Sequence, residues 1–405
     1  MCGRFSLIDG LDNLFKSFGI PPIPMFAPRY NIAPSQPVLA ILYDSDLKTF
    51  RYDFFVWGLV PPWSNDPKIG FNRNMSTAMV LIDLRQAFDS VWHDGLIHKL
   101  MKYNYPLYLI KLIQSYLSNR SAFVSLPAGA STRFSVSSSV PQGSLISPHL
   151  FNLFINDIPI PSNGNLCLFA DDTAFYVQVP WKDLATAKSA VLNELSILKS
   201  YFNDWKIQLN DSKTEFIMFS KSTRMIAMSR NDSILFNNQR FAWKPVVKYL
   251  GLLLDSKLLF KLHIDYVLKK ANAICFSTLY CLLSRKSHVT IDSKIRVYKS
   301  CIRPILTYGC PVFSNAANCH INKLQLLQNK ILRMILDIKW NDFISTSSVH
   351  DSAKVPNIAE FINRLTENFY KKVSNHPSSL YATLGQYNVD SLSFRVKHKL
   401  PRPLV

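Results

Sequence analysis

An acidic doublet, Asp171-Asp172, separates two apolar runs of strand length, Leu166-Cys167-Leu168-Phe169-Ala170 and Thr173-Ala174-Phe175-Tyr176-Val177. Two such runs meeting at a charged pair fold most simply as a buried hairpin with the carboxylates at its tip. A third acid, Asp83, ends the run Ala78-Met79-Val80-Leu81-Ile82. If the strands are neighbours, three carboxylates reach one point, which is the ligand inventory of a site that moves phosphoryl groups with two divalent metals.

The rest of the composition suits such a substrate. At 405 residues and 48% hydrophobic content the chain can build two or three domains with real cores, and its net charge of +19 seeks a polyanion, with nucleic acid the natural one. A merely solvated cationic surface would explain solubility but not so one-sided an excess. Seven cysteines (Cys2, Cys167, Cys275, Cys281, Cys301, Cys310, Cys319) contain no CxxC pair, so neither a disulfide framework nor a zinc knuckle is indicated, and a reducing compartment fits. The start of the chain lacks signal-peptide features and no apolar run reaches membrane-spanning length, so the expectation is an intracellular protein, nuclear or cytoplasmic, not secreted and without a membrane partner. His98, His149, His263 and His350 are dispersed and form no ligand pattern.

The chain changes character near Arg73-Asn74-Met75-Ser76-Thr77. Before it, eight prolines between Pro21 and Pro62 and many aromatics favour short strands and fixed turns. After it, the pattern predicts a strand at 78–84, helices at 92–103 and 107–118, strands near 121–136, a helix at 147–156, a hairpin at 165–179, a long helix at 182–206 and a strand at 214–220. In the long helix Leu184, Ala187, Ala190, Val191, Leu195, Leu198 and Phe202 share one face. Helices layered on a small antiparallel sheet, an α+β class, are expected. Beyond Tyr249-Leu250-Gly251 the pattern is helical to about Val373 and rich in lysine and arginine, either a basic clamp or a solvated face.

Four further stretches carry chemistry. Asp83-Leu84-Arg85-Gln86-Ala87-Phe88 sets an aromatic five residues after a strand-end carboxylate, and Val140-Pro141-Gln142-Gly143-Ser144 is a turn whose Gly143 lets backbone approach a ligand. Leu209-Asn210-Asp211-Ser212-Lys213-Thr214 places Lys213 at a strand start, and Lys248-Tyr249-Leu250-Gly251 comes last. Each alone is weak. With Phe169-Ala170-Asp171-Asp172, in this order and spacing, they resemble the A to E motifs of reverse transcriptases of non-LTR (LINE-type, jockey-like) retrotransposons over roughly residues 77–340. The resemblance implies a polymerase palm at 77–255, a basic helical thumb at 256–375 and an irregular tail at 376–405. It implies Mg²⁺, as two ions, or Mn²⁺, held by Asp83, Asp171, Asp172 and the Leu84 carbonyl, with RNA template and DNA primer as partners. Phe88 would exclude a ribose 2′-hydroxyl, or simply pack the core. Gln142 and Gly143 would meet the nucleotide and template, and Lys213 would protonate pyrophosphate, or be an ordinary strand-entry lysine. The family's fingers precede its first aspartate, and the segment before Asp83 looks like something else, so weak activity or none is expected from this chain alone.

That segment, Cys2-Gly3-Arg4-Phe5, Pro28-Arg29-Tyr30-Asn31 and Val56-Trp57-Gly58-Leu59-Val60-Pro61-Pro62-Trp63, resembles the opening part of the SRAP family, the abasic-site processing proteins, over residues 1–75. With the initiator Met removed, Cys2 is a 1,2-aminothiol that condenses with the ring-opened aldehyde of an abasic sugar. The resemblance makes Arg4 and Arg29 phosphate contacts on abasic single-stranded DNA, Trp57 or Trp63 a stacking platform for the strand or simply core packing, and Asn74 or Asn72 the family's asparagine. The family's later Glu and His have no counterpart. The chain therefore reads as a chimera, with an inactive fragment of unspecific nucleic-acid affinity as the remaining alternative.

Overall fold

The computed structural model describes residues 75–374, except 128, 145, 163, 181, 182 and 340, and the backbone of four strands nearer the start, β1 Phe5–Leu7, β2 Arg29–Ile32, β3 Gln36–Asp44 and β4 Thr49–Trp57. The chain divides into two units, Asp66–Leu258 on one side and Met1–Asn65 with Leu259–Val405 on the other.

The first unit is organised by β5, Met75–Asp83, which is buried at every position from Ser76 to Ile82. An alternating strand would leave one face wet. This one is apolar on both faces, as the centre of a covered sheet must be. It lies third in a six-stranded mixed sheet. The strands β10 (Gly164–Phe169), β11 (Asp172–Pro180), β12 (Glu215–Phe219), β13 (Ser233–Phe236) and β14 (Gln239–Lys244) complete the order β10-β11-β5-β12-β14-β13. Two tiny strand pairs, β6 (Ser121–Ala122) with β9 (Phe134–Ser135) and β7 (Ser125–Leu126) with β8 (Gly129–Ala130), lie apart from it.

The expected strand, hairpin and helices appear with ends shifted by at most three residues. The helices are α1 (His93–Lys102), α2 (Leu107–Leu117), α3 (Ser147–Ile155) and α4 (Leu184–Asp204). Pro180 ends β11, and Asp183 then accepts from the Thr186 amide at 2.8 Å to start α4. Its inward face, Leu184, Ala187, Val191, Leu195, Leu198 and Phe202, joins Val80, Ile82, Phe175 and Phe151 in one core.

The sheet is larger than expected and not purely antiparallel. Between β12 and β14 the chain inserts α5 (Thr223–Arg230) and β13, and this crossover returns β14 parallel to β12, with Phe216 beside Trp243. The hairpin β15 (Val246–Tyr249) and β16 (Leu252–Asp255) follows, turning through Leu250 and Gly251 at φ +47° and +84°. Positive φ at both residues is what a two-residue hairpin turn requires.

Behind the sheet, Lys99 is fully buried among aromatic rings. Its ammonium donates to the Phe154 carbonyl (2.5 Å), to Asp157 (2.5 Å) and to the Tyr201 hydroxyl (2.9 Å), and lies 3.5 Å from the Trp205 ring. One cation thus fastens α1 to the end of α3 and to α4.

In the second unit the described residues past Leu259 form helices joined by loops. The helix Asn318–Ile335 buries Ile321, Leu324, Leu327, Ile331, Leu332 and Ile335 along one stripe. No helix of the described residues is long and apolar enough to cross a membrane.

Candidate active site

The hairpin register fixes the acidic residues. Phe169 pairs with Asp172, so the connection is Ala170-Asp171 alone, and Ala170 holds a left-handed φ of +52°. For an alanine that conformation costs about 1–2 kcal/mol. On its other edge β11 places Asp172 directly opposite Asp83, the last residue of β5. The backbone therefore brings the three aspartates to one end of neighbouring strands.

Their side chains differ in surroundings. Asp83 accepts from the Asn210 side-chain amide at 2.9 Å and faces the Lys213 ammonium at 3.5 Å. One Asp171 oxygen, Oδ1, is sealed from solvent without a hydrogen-bond partner. Burial first, then the charges of Asp171 and Asp83, push the Asp172 carboxyl above the ordinary carboxylate range. Among the described residues no three His, Cys, Asp or Glu side chains gather tightly enough to hold a metal ion. The strand pairing sets Asp83 and Asp172 opposite each other with Asp171 in the adjoining turn.

The segment Leu209 to Thr214 supports Asp83. An antiparallel bridge sets Leu84 against Leu209 through Arg85 N–H to the Gln208 carbonyl and Asn210 N–H to the Asp83 carbonyl, both 2.8 Å, and does not use the Leu84 carbonyl. Lys213 lies in the following turn, since β12 begins only at Glu215. It precedes the strand by two residues. Asn210 was a quoted motif residue without a role, and the structure makes it the closest side-chain partner of Asp83.

A cleft of about 320 Å³ opens at this end, lined among others by Asp83, Asp172, Lys213, Lys248, Tyr249 and Leu250. Residues from four separate motifs of the sequence share it. Burial, with Cys167 and Asp172 behind it, drives the Tyr249 phenol strongly upward, keeping it neutral.

The Gly143 motif lies on the turn 142–143, where φ of +88° demands glycine and a methyl group in its place would meet nothing within 4 Å. Gln142 donates to Asp89 at 3.1 Å. Phe88 is half-buried and stacks on Phe151 at 4.8 Å, so core packing is part of its role. Cys2, Arg4 and Asn74 lie outside the described residues. Arg29 and Trp57 lie in β2 and β4, whose backbone alone is described.

The donor set suits Mg²⁺ or Mn²⁺. All candidate ligands are hard oxygens, Asp171 Oδ1 has no protein partner, and the potential that raises Asp172 is the kind a divalent cation relieves.

Comparison with known proteins adds two matches. Residues 53–254 match the family "Reverse transcriptase (RNA-dependent DNA polymerase)", and residues 1–94 match "SOS response associated peptidase (SRAP)". The overlap contains the change of character near residue 75. The chain is 30% identical over 333 residues to the "RNA-directed DNA polymerase from mobile element jockey" of Drosophila melanogaster, covering 79% of this chain and 35% of that one. It is 43% identical over 74 residues to the "Abasic site processing protein YoaM" of Bacillus subtilis, covering 18% and 32%. The chain spans about a third of the length of these curated relatives. Among solved structures, telomerase from Candida tropicalis with a telomeric RNA fragment aligns with 78% of this chain and 50% of its own at TM-score 0.34 and 11% identity.

Proposed function

Because residues 53–254 form a reverse transcriptase domain related to those of non-LTR retrotransposons, joined to an N-terminal SRAP-family segment, we propose that the chain descends from, and retains the centre of, an RNA-directed DNA polymerase. The observation that carries this reading is the pairing of Asp83 with Asp172 beside the strained Asp171 turn, in one cleft with Lys213 and Lys248. Asp83, Asp171, Asp172 and the Leu84 carbonyl would hold two Mg²⁺ ions. When bound, these lower the pKa of a primer 3′-hydroxyl and neutralise the departing pyrophosphate.

The chain's own groups do the positioning. Asn210 holds the Asp83 carboxylate in place by hydrogen bond. Lys213, on the cleft wall, has an ammonium within reach of that space and supplies a proton to the leaving pyrophosphate. The open space above Gly143 admits nucleotide or template to backbone distance, and Phe88, backed by Phe151, limits room at the sugar. The helical residues past Leu259 act as a basic thumb. On this reading the activity of this chain alone is weak or absent, because an SRAP-type segment precedes Asp83 where basic fingers would neutralise the triphosphate. Primer extension on poly(rA)·oligo(dT) with Mg²⁺ tests the reading. Incorporation that disappears in Asp171→Asn supports it, and equal incorporation in both proteins removes it.

A second reading has its own support in the 43% identity to an abasic site processing protein. Cys2 would use its α-amine and thiol together on the abasic aldehyde, forming C–N and C–S bonds to one carbon and releasing water as a thiazolidine closes. Arg4, Arg29, Trp57 and Asn74 would bind the strand. A shifted band on a denaturing gel with an abasic oligonucleotide, lost in Cys2→Ala, is the expected result.

A further inference from the structure

Among the described residues the most exposed large apolar side chain is Phe343, which stands entirely in solvent on the loop after the helix Asn318–Ile335. The loop itself is well tied. Asp342 accepts from the Lys339 amide at 2.7 Å, returns its own amide to the Lys339 carbonyl at 3.2 Å, and accepts at its carbonyl from Ile344 at 2.8 Å. Two arginines hold it from outside. Arg333 donates to the Ile344 carbonyl at 2.6 Å, while Arg285 donates to the Ile338 carbonyl and pairs with Asp337 at 3.2 Å.

Leaving a phenylalanine in water forgoes about 1.5–3 kcal/mol of burial. A loop fixed at both ends with its ring outward presents that ring. The charge of this part of the chain selects the partner. From Leu259 to Ser374 there are 17 Lys and Arg against 7 Asp and Glu. Lys286 and Lys339 are exposed, whereas Asp337 and Asp342 are engaged by Arg285 and by the loop's own backbone. A flat apolar ring on a cationic surface matches an unpaired base with its phosphates on either side. Duplex buries its base faces in the stack, and an apolar protein partner makes no use of the charge.

We propose that Phe343 is a stacking anchor for single-stranded nucleic acid, held outward by Arg285 and Arg333. The site is independent of the polymerase chemistry. Its test is the affinity of the full chain for a fluorescein-labelled oligo(dT) 20-mer and for a 20-base-pair duplex, by anisotropy. Stacking of one base is worth about 1–3 kcal/mol, so Phe343→Ala should raise the single-strand Kd about 5- to 150-fold and change the duplex Kd less than about twofold. Phe343→Trp should bind as the parent does, with its added indole emission quenched on saturation. Phe343→Ala with unchanged single-strand Kd overturns the proposal, as does an equal loss on duplex or a tryptophan blind to the oligonucleotide.

Discussion

Replacing Lys99 by methionine removes one charge from the interior and keeps its volume. Three hydrogen bonds and the face of Trp205 are lost together, and Asp157 keeps only the Tyr201 hydroxyl at 2.8 Å and the outlying Lys102 at 3.9 Å. Breaking a buried pair from one side costs about 3–5 kcal/mol. Asp157 retains about a fifth of its exposure, so solvent recovers part of that and about 2–3 kcal/mol is expected. For a unit of this size that corresponds to a fall in Tm of about 4–12 °C.

The deficit should also depend on pH. Burial opposes ionisation of Asp157, but the hydrogen bonds from Lys99 and Tyr201 outweigh it and hold the carboxyl below the ordinary aspartate value of 3.8. A depressed folded pKa contributes stability above 3.8 that is lost as pH falls through the folded value. The Lys99→Met deficit is therefore largest near neutrality and shrinks in strong acid. Lys99 has the opposite balance. Burial lowers its pKa below 10.5, so its charge opposes folding at pH 7, and the parent alone gains stability as pH rises toward 10.5. Urea melts followed by far-UV circular dichroism, with Asp157→Leu and the double variant alongside, provide the measurement. The double variant should lose clearly less than the sum of the singles, because it leaves no orphaned carboxylate. Additive losses, or a single variant within about 0.5 kcal/mol of the parent, would refute the account.

Other expectations follow from the cleft and its turn. The raised carboxyl of Asp172 means the folded state holds its proton more tightly, so stability falls as pH rises above 3.8 through the folded value. Asp172→Asn should then abolish incorporation yet stabilise the fold at pH 7 by about 0.5 kcal/mol, after allowance for its exposure, with the gain vanishing well below pH 3.8; a destabilised variant would contradict this. Gly143→Ala meets no steric obstacle, so its cost is backbone strain alone, about 1–2 kcal/mol in a thermal melt, and a neutral result would show that the turn relaxes. Asn210→Ala should move Mg²⁺ dependence of incorporation to higher concentration while Tm changes by less than about 1 kcal/mol equivalent; an unchanged Mg²⁺ profile would separate Asn210 from the site.

Elements with a strong period were legible before any coordinates. Strand β5 is a continuous apolar run and α4 a clean stripe, and both appear where the pattern places them, because burial of that much apolar surface leaves the chain little choice. The region from Lys221 to Lys248 was not legible. Its strands are only four to six residues long, Gln239–Lys244 is half polar, and that strand joins the sheet by pairing Trp243 with the distant Phe216. Short polar strands carry no period of their own, so only the sheet they join identifies them.

What the sequence alone settled is the grouping of carboxylates with strand ends, the glycine at a turn that needs positive φ, and the change of family near residue 75, since each depends on residue type and local spacing. The register that sets Asp172 against Asp83, the choice of Asn210 and Lys213 as partners of Asp83, and the burial of Lys99 beneath Trp205 came only with the tertiary structure. Those depend on which distant segments meet, and a side chain's charge, exposure and hydrogen bonds are set by that meeting rather than by its neighbours in the chain.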